Sequence, residues 1–126
     1  MDGSTLCDFL GRNIFSNPAL SARLGVPEAR YKVESVTLGD LLSSHNAPAF
    51  IHFLSIDTEG SEYEVLKNFD FHSRQILFIC VELSFNANLI ERILVSNGYQ
   101  RILSQYSGWD GWFVLNTYVP QLEGIT

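Results

Sequence analysis

The amino-acid sequence predicts one α/β domain, with a mostly parallel sheet and an antiparallel hairpin at its edge. Two nearly continuous apolar runs, 50–56 and 75–83, are each bounded by an acid, and such runs are typical of strands covered on both faces. Helical patterns follow both runs, and two further strand patterns come after them. This alternation predicts right-handed crossover connections, and 126 residues suffice for a single domain.

The composition excludes several classes of partner. The chain is 46% hydrophobic and 17% charged, with a formal net charge of −6 and no run of cations. Nucleic-acid and membrane-surface partners are therefore not predicted, because both need clustered positive charge. No apolar run approaches the roughly 20 residues of a membrane span, and no signal peptide is visible. The two cysteines, Cys7 and Cys80, are too few for a disulfide scaffold, which indicates a cytoplasmic protein.

The sequence of the first 35 residues predicts an irregular or helical N-terminal segment. A short helix is expected from Pro18 to Leu24, and Tyr31 to Val36 fits a short strand or an extended approach. Thr37 is expected to cap a helical turn through Leu42.

From residue 50 the pattern is clearer. Ser61 and Glu64 have capping-box spacing and predict a helix reaching Phe69. The apolar stripe of Leu89 to Leu94 predicts a second helix, ended by Asn97-Gly98. The ranges 99–103 and 112–118 are predicted hairpin strands, joined by turn residues 104–111.

Acids stand where strands of the predicted sheet end. Asp57 and Glu59 follow the first run, and Glu82 lies at the end of the second. Ligands of open α/β sheets bind outside the carboxyl ends of the strands. Converging carboxylates would raise one pKa and so provide a general base, or would share a cation such as Mg²⁺. Alternatively, Asp57 or Glu59 caps the amides near Ser61. No metal site is predicted, because no histidine lies beside these acids.

The histidines carry no predicted chemistry. His52 lies within the first strand and is predicted to be a satisfied core histidine. His45 and His72 fall in connectors and are predicted to lie on the surface.

Aromatic residues cluster around the predicted hairpin turn at Tyr106, Trp109, Trp112 and Phe113. Such a cluster can line a pocket, an interface or the core. Trp112 and Phe113 are predicted to belong to the core or to a dimer interface, and the role of Trp109 stays open.

The segment from Phe53 to Lys67, FLSIDTEGSEYEVLK, resembles the signature of FkbM-type methyltransferases. In that family a strand ends in Asp-x-Glu-Gly, and a helix with Val-Leu-Lys follows. The resemblance covers about Val33 to Tyr118, and its other parts are VTLGDLL at 36–42, Val81-Glu82, Gly98-Tyr99 and SGWDGWFV at 107–114.

The resemblance implies transfer of a methyl group from S-adenosylmethionine to an oxygen of a small molecule or sugar. It also implies a partial Rossmann-like methyltransferase fold, of which residues 36–118 form the carboxy-terminal half. The residue roles it implies are catalysis for Asp57, Glu59 and Glu82, cofactor binding for Asp57 and Thr58, and substrate binding for Trp109 and Asp110.

The chain also departs from the family pattern. It has no glycine-rich turn after a strand to hold adenosine and ribose, so we expect an incomplete enzyme, and cofactor binding by this chain alone is not predicted. A sheet without its first strands would expose an apolar edge, which residues 1–35 or a second copy in a homodimer would cover. One alternative function is a non-catalytic remnant that acts as a dimeric interaction or structural module. Another is a carboxylate-lined module that binds sugars or nucleotides.

Overall fold

The computed structural model describes residues 34–122. Cys7 and the helix predicted at 18–24 lie outside the described residues, as does most of the N-terminal segment. The described elements, in chain order, are α1 Leu38–Ser44, β1 Phe50–Ile56, α2 Glu62–Lys67, β2 Gln75–Glu82, α3 Ala87–Ser96, β3 Tyr99–Ile102, β4 Asp110–Leu115, a 3-10 turn Asn116–Tyr118 and α4 Val119–Leu122.

The four described strands form one mixed sheet in the order β1-β2-β4-β3. The β1–β2 pair is parallel, whereas β2–β4 and β3–β4 are antiparallel. Strands β1, β2 and β3 therefore run in the same direction, and β4 alone is reversed. The prediction of an antiparallel hairpin is confirmed. The sheet is mixed rather than mostly parallel, because β4 inserts between β2 and β3 and leaves one parallel pair.

The core lies between this sheet and the helices α2 and α3. Leu66 of α2 is fully buried, as are Ile90 and Leu94 of α3. These side chains form one apolar cluster with residues of the strands, among them Ile79 and Phe113. Burial of a side chain of this size stabilises the fold by about 1.5–3 kcal/mol, so this core fixes the strand ends relative to each other.

Strand β1 is less covered than its apolar sequence predicts. Phe53 is 56% exposed and its ring stacks on that of Phe78 at 5.7 Å between centroids. The predicted core histidine His52 is in fact exposed, with its ring against the edge of Phe50 at 5.0 Å. The exposure of Phe53 and that of His52 have the same cause: β1 is an edge strand of the described sheet, so it is less covered than a central strand. His45 and His72 are exposed, as predicted.

The remaining predicted elements differ mainly at their ends. Thr37 caps α1, and its hydroxyl oxygen accepts the Asp40 amide at 3.1 Å, which confirms that cap. Strand β4 begins at Asp110 and ends at Leu115, so the predicted strand 112–118 is shifted toward the N-terminus. Among residues 34–122 no helix is long and apolar enough to cross a membrane.

Candidate functional site

The ends of three strands meet at one edge of the sheet. Asp57 follows β1 directly, and Glu82 is the last residue of β2. Asp110 is the first residue of β4 and pairs with Glu82 in the β2–β4 ladder. Because β4 runs against β1 and β2, its beginning lies beside their carboxyl ends. The topology therefore brings together acids that are up to 53 positions apart in the sequence.

Three carboxylates converge at this edge, namely those of Asp57, Glu62 and Glu82. One oxygen from each lies within 4.8 Å of the others. Of the acids predicted to converge, Asp57 and Glu82 belong to this group and Glu59 does not, whereas Glu62 was missed by sequence analysis. Its only sequence signal is an acid in the first turn of a helix, where free backbone amides favour a negative charge.

The predicted cap at the start of α2 is absent. Ser61 precedes α2 but its side chain makes no capping bond, and its hydroxyl donates to Thr58 Oγ1 at 2.7 Å. The predicted Ser61–Glu64 capping box is therefore wrong. The amides of Thr58 and Gly60, in the loop before α2, donate to Glu62, so the acceptor near Ser61 is Glu62 and not Asp57 or Glu59.

The connection between β1 and α2 has an unusual backbone. Glu59 has φ 57° and Gly60 has φ 114°, two successive residues in the region that favours glycine. A Cβ on Gly60 would lie 3.6 Å from the Phe85 ring, so Phe85, which is exposed, lies beside this loop. The glycine thus permits the tight turn that presents Asp57 and Glu59 at the strand end.

Glu82 is electrostatically distinct from an ordinary surface glutamate. The Ser84 hydroxyl donates to its Oε1, and this bond lowers the pKa of Glu82. Desolvation and the negative charges of Asp57, Glu59 and Glu62 oppose that effect, and the net result is a raised pKa. Within the described range, Glu82 Oε2 is buried and has no hydrogen-bond partner. Glu82 therefore has an increased affinity for a proton.

The hairpin forms the neighbouring wall. The Leu83 amide donates to the Trp109 carbonyl oxygen at 2.7 Å, which ties the hairpin turn to the end of β2. The indole of Trp109 itself is 78% exposed. A Cβ on Gly111 would lie 2.6 Å from Leu83 Cδ1 and 2.8 Å from Cε2 of the Phe113 ring, so a larger residue there would displace these side chains. Phe113 is fully buried, which confirms its predicted place in the core, and Trp112 is half-buried.

Cys80 lies on β2, two residues before Glu82, and is a free thiol. Desolvation and the charge of Asp110 raise its pKa. A thiol with a raised pKa is a poor nucleophile near neutral pH.

The arrangement can accept a proton and attract a cation. Carboxylates this close together repel each other when ionised, and the repulsion is relieved by a shared proton or a nearby positive charge. We assign no metal to them, because Glu62, one of the three, already accepts hydrogen bonds from Thr58 and Gly60. A bound molecule carrying a localised positive charge suits this edge of the sheet.

Comparison with known protein families shows the family to which this chain is related. The model of the Methyltransferase FkbM domain matches residues 2–105, so the match begins farther upstream than the resemblance at about Val33 and ends before the last strand. No curated protein and no solved structure matches the chain. The family model covers most of the sequence, and the acidic strand ends that it includes are those that converge in the structure. The chain belongs to the FkbM methyltransferase family.

Proposed function

We propose that this site takes part in methyl transfer from S-adenosylmethionine to an oxygen of a small molecule or sugar. One observation carries the proposal: in a chain of the FkbM methyltransferase family, Asp57 and Glu82 meet at the carboxyl ends of adjacent parallel strands. That is where open α/β sheets bind their ligands.

The acidic edge fits the donor chemically. S-adenosylmethionine, when bound, supplies a methyl group on a positively charged sulfonium. Asp57 and Glu59 contribute negative charge beside the end of β1, and opposite charges attract strongly where water is partly excluded. Asp57 and Thr58 are our candidates for cofactor contact. The Thr58 hydroxyl also donates to Glu62.

Glu82 is suited to receive the proton of the acceptor. During transfer the acceptor oxygen forms a bond to the methyl carbon, the carbon–sulfur bond breaks with its electron pair going to sulfur, and the hydroxyl proton must leave. The Glu82 carboxylate can take that proton, and its raised pKa favours the transfer. Asp57 and Glu59 orient the reacting groups, and correct orientation supplies much of the rate of such a displacement.

The acceptor is proposed to lie against the hairpin. Trp109 exposes its indole beside Asp110, which pairs with Glu82. An exposed aromatic ring next to a carboxylate is a suitable surface for a sugar or another small polar molecule. Substitution of Trp109 by Ala should weaken acceptor binding and change the free energy of unfolding by less than about 0.5 kcal/mol, as for other exposed positions.

The direct test measures binding and turnover on matched variants. Calorimetry with S-adenosylmethionine and S-adenosylhomocysteine is followed by assays of radioactive methyl transfer to a panel of sugars and hydroxylated small molecules. We expect Asp57→Asn to lose cofactor affinity and Glu82→Gln to lose turnover by about 10²-fold. Glu64→Gln is the control, because Glu64 pairs with Lys67 on the same helix as Glu62 and stands apart from the three converging carboxylates.

Two results would count against the proposal. One is full methyl transfer by both Asp57→Asn and Glu82→Gln. The other is absence of cofactor binding both by this chain and by the chain extended with a glycine-rich nucleotide-binding unit from a complete family member.

A dimeric interaction module is the second candidate. Its support is the edge strand β1, which in the described part of the chain pairs on one side with β2 and exposes Phe53. An open strand edge presents backbone groups that can pair with a second copy. Sedimentation should then give a dimer that Phe53→Lys converts to monomer and that Asp57→Asn leaves intact. A monomer at all concentrations would exclude this candidate.

We also propose a cytoplasmic location. Its support is the free thiol of Cys80, which is the usual state in a reducing compartment. Fluorescence microscopy of the tagged protein in its native cell would test this.

A further inference from the structure

Glu62 is a buried acid with an unusual set of partners. It is 1% exposed, and in the described part of the chain it forms no ion pair with lysine or arginine. An ionised carboxylate buried in this way must be stabilised by hydrogen bonds. Its partners therefore explain why the fold retains it.

Those partners all belong to the loop that follows β1. Glu62 Oε1 accepts the Thr58 amide at 2.6 Å and the Thr58 hydroxyl at 3.0 Å. The Gly60 amide donates to both oxygens, at 3.2 Å to Oε1 and 3.0 Å to Oε2. Hydrogen bonds to an ionised acceptor are about twice as strong as neutral ones. One side chain thus holds both ends of the segment from Thr58 to Gly60.

The backbone of this segment forms a small anion-binding concavity. The amides of Thr58 and Gly60, on either side of Glu59, both donate to the Glu62 carboxylate, and convergent backbone amides bind anions. Here the anion is the protein's own carboxylate. Without this carboxylate, the amides of Thr58 and Gly60 would lose their acceptor. The hydrogen bonds that offset the strain of the left-handed backbone at Glu59 would then be absent.

Asp57 and Glu59 flank Thr58, so their placement depends on the same hydrogen bonds. Asp57 and Glu82 come from neighbouring strands, and Glu62 lies within 4.8 Å of both. We propose that Glu62 is the positioning residue of this site, whose carboxylate fixes the loop 57–60 so that the Asp57 carboxylate lies beside that of Glu82. It acts through the loop and does not itself contact the donor or the acceptor. The catalytic part of this inference rests on the proposed function.

The test is Glu62→Gln, with Glu64→Gln as the matched control. Glutamine keeps the shape and one acceptor oxygen, but it places an amide donor against the Gly60 amide and removes the charge. Hydrogen exchange measured by NMR should accelerate about tenfold or more at the amides of Thr58 and Gly60, and not in β2. In Glu64→Gln both amides should exchange as in the wild type.

The kinetic readout separates positioning from general stability. On the chain, or on the extended chain if that is the active form, Glu62→Gln should lower kcat by about 10²-fold, as misplacement of reacting groups by about 1 Å does, with KM little changed. A uniform increase in exchange over the whole domain, with kcat unchanged per folded molecule, would overturn the inference. Unchanged exchange at Thr58 and Gly60 would also overturn it.

Failure of the proposed function is distinguishable from failure of this inference. If wild-type protein transfers no methyl group, the exchange rates of Thr58 and Gly60 and the NMR shifts of the Asp57 side chain still decide whether Glu62 fixes the loop. If Glu62→Gln does not fold, Thr58→Val removes the hydroxyl that donates to Glu62 and accepts from Ser61, and leaves the Thr58 amide in place. A smaller acceleration at the Gly60 amide then supports the inference, and no acceleration overturns it.

Discussion

Substitution of Gly60 by Ala tests whether the turn after β1 requires its left-handed backbone. Gly60 has φ 114°, and the nearest side-chain atom to an added Cβ is on Phe85 at 3.6 Å, an ordinary contact. The cost is therefore conformational rather than steric. Placing an L-residue in this region costs about 1–2 kcal/mol, which corresponds to a decrease in Tm of about 5–10 °C for a domain of this size.

Gly98→Ala is the matched control for this experiment. Gly98 has φ 86° and no atom within 4 Å of an added Cβ, so it should show a similar loss of stability. Its position between α3 and β3 is outside the candidate site. Urea unfolding followed by circular dichroism gives both free energies. Calorimetry with S-adenosylhomocysteine, on this chain or on the chain extended with a nucleotide-binding unit, gives the effect on the site.

We expect both variants to unfold at lower urea concentration and Gly60→Ala alone to lose ligand affinity. A Gly60→Ala protein as stable as the wild type would refute the argument from φ. Equal loss of affinity in both variants would refute the link between this turn and the site.

Three further predictions concern stability. The folded pKa of Glu82 is raised above its ordinary value of 4.5, so the native state holds this proton to higher pH than the unfolded chain, and stability falls as the pH rises from the unfolded pKa through the folded pKa. Glu82→Gln should remove this loss of stability, so in thermal melts above the folded pKa the variant should be at least as stable as the wild type. Leu66→Ala empties a fully buried position and should cost about 2–5 kcal/mol in urea unfolding, whereas Leu89→Ala, at an exposed position on α3, should cost far less. Tyr99→Phe removes the buried hydrogen bond from the Tyr99 hydroxyl to the Ile76 carbonyl, 2.8 Å long, and should cost about 1–3 kcal/mol; an unchanged unfolding midpoint would show that water replaces this bond.

The acids at the strand ends illustrate how far sequence reasoning reaches. Asp57 and Glu82 could be predicted to converge because each is at the end of an apolar run, and parallel strands end at the same edge. Glu62 could not, because its spacing from Ser61 matches no standard cap and its burial depends on the loop folding back over α2. His52 was misassigned for a related reason, since an apolar run does not reveal whether its strand is central or at an edge.

The sequence alone determined the order of the elements, the acids at the strand ends and the relationship to the FkbM methyltransferases. These properties depend on local periodicity and on contiguous motifs, so they can be predicted without knowing which residues are in contact in the folded chain. The tertiary structure decided that β4 inserts beside β2, which brings Asp110 opposite Glu82. It also decided that Glu62 holds the loop and that the pKa of Glu82 is raised. Those properties depend on distances between residues far apart in the chain, and electrostatic and hydrogen-bond energies are set by such distances.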